Sequence, residues 1–249
     1  MTNNGVTEHY EALLADVYAW STSGVGDPFA NADAWLTTTG LDGASTVLDL
    51  GAGFGAHSVA FARRGKSVTA VDTSAVLLAQ LSAHAAREGL EIRTHQAELV
   101  AFLRQSKETK WDTVLCLGDT LTHLPDRAAV SSLLVAGATA LTKGGRLVLS
   151  YRDSTGFAAT GTARFLMVRR DASRAMHCFL EVIDQDHLRV TDMVTEITGE
   201  GPVTRFSDYT KLRLSQAWVK QAAADAGLTV TLEHEQRGML TLVFEARQR

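Results

Sequence analysis

Apolar positions recur along the chain with two different periods, and the order in which the periods alternate predicts the architecture. Across residues 8–20 the side chains of Tyr10, Leu13, Leu14, Val17, Tyr18 and Ala19 keep close to helical spacing. That predicts an amphipathic N-terminal helix, broken over residues 21–28 by a run of Ser, Gly, Asp and Pro. Short apolar runs at 47–50, 68–71, 111–117 and 146–151, together with a short strand from Ile92 to His95, then alternate with helix-spaced segments at 56–64, 75–87, 98–104 and 126–141. Thr73 and Ser74 precede the second of these as caps, while Gly65 and Gly89 fall where left-handed helix ends favour glycine. Strand and helix units in this order predict a doubly wound parallel sheet.

The rest of the chain departs from that alternation twice. Ser215 caps a predicted helix reaching 226, with Trp218, Val219, Ala222 and Ala223 inward. Two alternating strands then follow on Leu228, Val230, Leu232 and on Leu240, Leu242, Phe244. Residues 235–238 are short enough to join them as a hairpin, so the last strand is expected to run antiparallel. Residues 152–214 far exceed the usual βα connection of about 2–6 residues. They carry strand patterns at 165–170, 175–183, 187–197 and 203–214, with turns at 184–186 and 199–202, which predicts a small antiparallel sheet inserted over the carboxyl edge. The expected organisation is an N-terminal helical lid (1–40), a core (41–151 and 215–249) and an inserted cap (152–214).

Composition narrows the function classes. A chain of 249 residues with 45% hydrophobic and 21% charged residues is ordinary globular material able to bury a sizeable core. Its formal charge of -4 argues against nucleic acid as a partner. The nine Lys/Arg and nine Asp/Glu of 152–213 announce no anionic substrate. Only Cys116 and Cys178 occur, so neither a disulfide framework nor a Cys-rich metal site is expected. Residues 1–10 are polar, and no apolar run approaches the ~20 residues a membrane span needs. A cytoplasmic protein without membrane contact is expected, and the sequence assigns no oligomeric state.

Chemistry concentrates in one stretch. An apolar strand runs into Gly51, Gly53 and Gly55, and the next strand ends on Asp72. Glycines there let the backbone turn tightly and approach a ligand, and an acid at the following strand tip can accept hydrogen bonds from a ribose diol. Asp49 lies inside the first strand, where a carboxylate is costly unless it is used. Gly51-x-Gly53-x-x-Ala56 also satisfies the relaxed dinucleotide fingerprint, which keeps a nicotinamide-dependent oxidoreductase open as an alternative.

Asp49-x-Gly51-x-Gly53-x-Gly55 with Asp72 resembles the cofactor site of class I S-adenosylmethionine-dependent methyltransferases, and the terminal hairpin fits the same family. The resemblance covers about 45–151 and 215–246. It implies a seven-stranded Rossmann-like sheet with its last strand antiparallel, S-adenosylmethionine as cofactor and S-adenosylhomocysteine as product. The cofactor residues it implies are Tyr18, Asp49, Gly51, Ala52, Gly53, Asp72, Thr73, Ala97, Glu98, Leu117 and Gly118. Glu98 has a second reading, an acid in the first turn of its helix favoured by the macrodipole.

Residues 117–124 resemble the loop that glycine and sarcosine N-methyltransferases carry after strand four, with Asp119 where those enzymes commonly have an asparagine. That departure argues against a glycine-like acceptor. The implied activity is in-line methyl transfer to a small molecule, N-methylation ahead of O-methylation. His123 is the candidate base and Asp119 its orienting partner. Arg152 and Tyr209 are candidate acceptor contacts. No carboxylate cluster suggests a metal, and His57 and His84 are expected to face solvent. A protein that binds the cofactor without turnover is the remaining alternative.

Overall fold

The computed structural model describes residues 4–23, 26–158 and 160–247. Residues 1–3 of the polar start and Gly24 and Val25 of the predicted break lie outside the described residues. Five parallel strands, β1 (Thr46–Leu50), β2 (Ser67–Asp72), β3 (Ile92–Gln96), β4 (Trp111–Cys116) and β5 (Leu141–Tyr151), make the centre of the main sheet. Of the four predicted helices between them, α4 (Ala56–Arg63), α5 (Ala75–Arg87), α6 (Leu99–Gln105) and α7 (Arg127–Ala140) form within a residue or two of expectation. Ser74 caps α5 by accepting the N–H of Leu77. Residues 143–145 lie within β5, where the pairing jumps from Trp111 opposite Leu141 to Thr113 opposite Arg146, a bulge in the strand.

The chain closes as the alternating pattern predicted. Helix α8 (Gln216–Asp225) leads to β10 (Leu228–Gln236) and β11 (Met239–Ala246), paired antiparallel to each other and, through β11, to β5. The turn is shorter than expected, only Arg237 and Gly238, both at positive φ (51° and 72°). That is the backbone a two-residue hairpin of right-twisted strands requires. The order β10-β11-β5-β4-β1-β2-β3 makes β1 and β4 neighbours although they are distant in sequence. Their carboxyl ends therefore flank the crevice where open α/β sheets take ligands.

Apolar side chains cover both faces of this sheet. On one, Leu36 and Leu41 join Phe61 of α4 against Val47, Leu115, Val148 and Val243; on the other, Leu133, Leu134 and Val219 meet Leu48, Val114, Leu147 and Phe244. Fully burying such a side chain contributes roughly 1.5–3 kcal/mol, and these residues alternate along each strand as a two-sided sheet demands.

The insert forms the expected second sheet, β6 (Phe165–Arg170), β7 (Arg174–Val182), β8 (His187–Thr198) and β9 (Gly201–Leu212), antiparallel throughout in sequence order. Its inner face receives the N-terminal helix. That helix is longer than predicted: α1 (Asn4–His9) and α2 (Ala15–Thr22) are joined through a π-helical stretch, Tyr10–Leu14. Leu13, Leu14 and Val17 pack on Met176 and Val194 of the cap. The segment 1–40 places its second helix elsewhere, since α3 (Pro28–Thr39) packs through Ala32 and Leu36 on Ala60 and Phe61 of α4.

Candidate active site

Backbone geometry at the end of β1 builds the centre of the site. Gly51, Gly53 and Gly55 all have positive φ (73°, 57° and 85°). A Cβ on Gly51 would stand 2.4 Å from Thr120 Cγ2, and one on Gly55 would stand 2.1 Å from Leu81 Cδ1. Glycine is thus required for both conformation and space. The N–H groups of Gly51 and Ala52 donate to the carbonyl of Val71 (2.8 and 3.1 Å), tying the loop to the end of β2.

Asp72 completes that tie. Its Oδ2 accepts the N–H of Gly53 (2.8 Å) and its Oδ1 the N–H of Ser74 (2.9 Å). Burial pushes its carboxyl above the ordinary range, against the pull of these N–H donors. A carboxylate offers about four acceptor positions, so capacity remains for a diol. Asp49, 3% exposed, accepts a hydrogen bond from the Ser58 hydroxyl (2.7 Å). Burial pushes it up to about 6, with Ser58 opposing.

A cavity of about 870 Å³ gathers most of the residues the sequence singled out. Tyr18, Asp49, Gly51, Ala52, Gly53, Asp72, Thr73, Glu98, Leu117, Gly118 and His123 all line it. Ala97 does not; its N–H donates to the carbonyl of Asp72 (3.0 Å), so it serves the frame. Glu98 stands just before α6 and caps it, accepting the N–H groups of Val100 and Ala101 (3.1 and 2.7 Å). It satisfies its helix-start reading while keeping its place on the cavity wall.

Asp119, Arg152 and Tyr209 stand outside that lining. Asp119 follows β4 at φ 73° and is 7% exposed. Its carboxylate accepts the backbone N–H and a guanidinium N–H of Arg152 (both 2.7 Å) and lies 3.5 Å from the Lys211 ammonium. Burial pushes Asp119 up, but Lys211 and Arg152 outweigh it and hold the carboxyl below the ordinary range. The acid expected to orient His123 is thus engaged by two cations, which the cap (Lys211) and the end of β5 (Arg152) supply.

His123 ends a short 3₁₀ turn, Thr120–His123. Its ring meets Tyr10 (6.1 Å between centroids) and Tyr209 (5.4 Å), and Tyr10 meets Tyr18 (5.6 Å). Burial, reinforced by Lys211 and opposed by Asp119, lowers its pKa to about 4, so the imidazole is neutral at pH 7.

Two expectations are corrected. His57 lines the cavity and meets Trp35 edge-on (4.9 Å), and burial lowers its pKa to about 4. His84 stacks on Phe29 (3.8 Å, 7° between planes) and bonds Glu88. Both rings are held in interfaces between helices instead of facing solvent. The sequence reading also passed over Tyr10, Lys211 and Asp192. Tyr10 lies two helical turns from Tyr18, and Lys211 and Asp192 occupy buried positions of alternating strands, where a polar residue is itself a signal.

The lining suits a phosphate-free nucleoside with an amino-acid tail. It provides a glycine cradle, the buried carboxylate of Asp49, the half-buried one of Asp72 and aromatic walls. Among the described residues no three His, Cys, Asp or Glu side chains converge as metal ligands, and no helix is long and apolar enough to cross a membrane.

Comparison with known proteins agrees. Residues 47–145 match the methyltransferase domain family. The chain is 36% identical over 118 residues to the ubiquinone biosynthesis O-methyltransferase of Aeromonas salmonicida (47% of each chain). It is 31% identical over 154 residues to the glycine/sarcosine N-methyltransferase of Halorhodospira halochloris (60% of this chain, 57% of that one). The alignments thus span about half the length of these relatives. Two solved structures share the fold across nearly the whole chain. The CcbJ methyltransferase from Streptomyces caelestis superposes with a TM-score of 0.79 at 20% identity, covering 96% of this chain and 98% of its own. CalS10, an amino pentose methyltransferase from Micromonospora echinaspora solved with S-adenosylmethionine bound, gives 0.76 at 20% identity, covering 92% and 96%. Residues 47–145 are thus similar to the methyltransferase domain family, and the glycine loop and hairpin-closed sheet share the fold of these S-adenosylmethionine-dependent methyltransferases.

Proposed function

We propose that the chain transfers a methyl group from S-adenosylmethionine to a nitrogen of a small molecule, with residues 152–214 acting as the substrate cap. When bound, the cofactor supplies an electrophilic methyl on a sulfonium. Asp72 would hold the ribose, Gly51 and Gly53 would give room to the amino-acid end beside Asp49, and the ring of Tyr18 would cover the loop. The closeness of Tyr18 to the loop supports that role: a Cβ on Gly53 would come 3.6 Å from its Cε1.

The observation that carries nitrogen over oxygen is the group of aromatic rings around a neutral imidazole. A phenol or alcohol must lose its proton as it attacks, and a base whose conjugate acid has a pKa of about 4 helps little. An unprotonated amine needs only alignment and a hydrogen-bond partner. The positive charge it acquires is favoured against the ring faces of Tyr10 and Tyr18. His123 then orients the nucleophile, and Asp119 positions Arg152 and Lys211 behind it. Arg152, more than half exposed, and Tyr209, packed on His123, remain the proposed acceptor contacts.

Among the similar proteins, the amino pentose methyltransferase and the glycine/sarcosine N-methyltransferase are in keeping with an amine-bearing acceptor, whereas the ubiquinone biosynthesis O-methyltransferase acts on oxygen, so the preference for nitrogen rests on the site. A panel of amino sugars, small amines and phenols incubated with methyl-labelled cofactor tests the reading. Labelled N-methyl products are expected; label found only in methyl ethers would overturn the preference for nitrogen.

A further inference from the structure

The N-terminal helix has an irregularity that the proposed reaction leaves unexplained. Between α1 and α2 the N–H of Ala15 donates to the carbonyl of Tyr10, five residues back instead of four. A π-helical turn is an α-helix with one residue added, and its rarity reflects poorer packing and hydrogen bonding. Each α-helical residue advances about 100°. One added residue therefore rotates the helix before the turn by about that angle relative to the helix after it.

Such a turn persists when both flanks are fixed, and here they are. After it, Leu13, Leu14 and Val17 are buried against the cap. Trp20 donates its indole N–H to Asp171 (2.7 Å) and lies under the guanidinium groups of Arg169 and Arg174, 5.1 and 4.4 Å from the ring centre. Before it, His9 is 1% exposed and its Nε2 stands 3.0 Å from Oδ2 of Asp192, itself 4% exposed.

Asp192 occupies a buried position of β8 between Val190 and Val194, and its partners across the sheet are Cys178 and Ser207. An apolar pair would fill that space without desolvating two polar groups, so the use of this pair lies in position more than in stability. His9 Nδ1 has no partner, which leaves Asp192 as the hydrogen-bond anchor of the ring. The ring also packs on Tyr209 (4.6 Å).

We propose that His9 and Asp192 are a positioning pair: they hold the lid helix in its π register, and that register turns Val6, Thr7 and Tyr10 onto the cavity. All three line it. Without the pair, the π turn relaxes to α-helix, the stretch before it rotates by about 100°, and Tyr10 leaves the wall. The functional side of this inference rests on the chamber being the cofactor site, whereas the register itself does not.

The test uses full-length protein with a fluorotyrosine at position 10, read by fluorine NMR, and S-adenosylhomocysteine binding read by calorimetry. The first variant, His9→Phe with Asp192→Leu, removes both partners, so no bare carboxylate is left buried. Its fluorine resonance should move and its affinity should fall about tenfold or more, the size expected for losing one well-placed contact. Deleting Glu11, an exposed residue of the π turn, removes the added residue. In that background the double substitution should regain the wild-type resonance and an affinity within about threefold.

His9→Gln, whose amide N–H can reach Asp192, should keep both. An unmoved resonance in the double variant, or no recovery on deleting Glu11, would overturn the proposal. If the double variant does not fold, the Glu11 deletion alone decides, because the proposal requires it to fold and keep Tyr10 in place. Failure of the wild type to bind S-adenosylhomocysteine would count against the cofactor reading, while the fluorine shifts still decide the register.

Discussion

Exchanging Asp49 for asparagine separates what the core loses from what the site gains by burying a carboxylate beneath the glycine loop. Asp49 is 3% exposed, accepts one hydrogen bond from Ser58, and is pushed by burial from 3.8 up to about 6. That difference corresponds to about 3 kcal/mol between its two protonation states. The folded protein binds this proton more tightly than the unfolded chain does. The carboxyl therefore contributes its stability below about pH 3.8 and loses it as the pH rises through about 6.

Asparagine stays neutral and keeps an oxygen for Ser58, but it leaves an amide donor unpaired at about 1–3 kcal/mol. Relative to wild type, Asp49→Asn should be less stable by about that amount in acid and should gain about 3 kcal/mol between about pH 4 and pH 7.5. Urea unfolding of both proteins across that range measures the difference directly. A stability difference that does not change with pH would refute the argument. Binding of S-adenosylhomocysteine should weaken in the same variant, since Asp49 lines the cavity.

Three further outcomes are expected. Gly55→Ala should destabilise by about 2–4 kcal/mol, from the left-handed backbone (φ 85°) and the 2.1 Å approach to Leu81, whereas Gly89→Ala (φ 67°, nothing within 4 Å) should cost only about 1 kcal/mol in thermal melts. His123 should stay neutral above about pH 5 by nitrogen-15 NMR; because burial lowers its pKa from 6.5 to about 4, the stability it contributes is present above 6.5 and lost as the pH falls toward 4. Arg213 is 8% exposed and donates to the carbonyls of Ser154, Thr155, Phe157 and Asp184, so Arg213→Ala should cost about 3–5 kcal/mol and speed proteolysis within 152–160.

What the sequence made legible is what short-range pattern encodes. Alternation placed all four cap strands within two residues, and Ser74, Gly65 and Gly89 marked helix ends where caps and left-handed glycines are observed. The glycine loop and Asp72 could be read because their spacing reports a backbone shape. The surroundings of His57 and His84 could not, because each is covered by a ring from α3 (Trp35 and Phe29), a contact that no periodicity specifies. The pairing of Asp119 with Lys211, 92 positions away on the cap, had no local signal in the sequence. The π turn escaped the reading because the apolar positions that set the helix period, Tyr10 to Ala19, all lie in or after the turn and carry no record of the rotation before it.

The cavity at the carboxyl ends of β1, β2 and β4 is the proposed site for S-adenosylmethionine. Calorimetric titration of the wild type and Asp72→Ala with S-adenosylhomocysteine tests it most directly. Asp72 already anchors the N–H groups of Gly53 and Ser74, and two further charge-assisted hydrogen bonds to a ribose would contribute about 1.5–3 kcal/mol each. One bound ligand per chain is predicted for the wild type, with affinity falling a hundredfold or more in the folded variant, about 3 kcal/mol or above. No binding by the wild type, or equal binding by the two proteins, would contradict it.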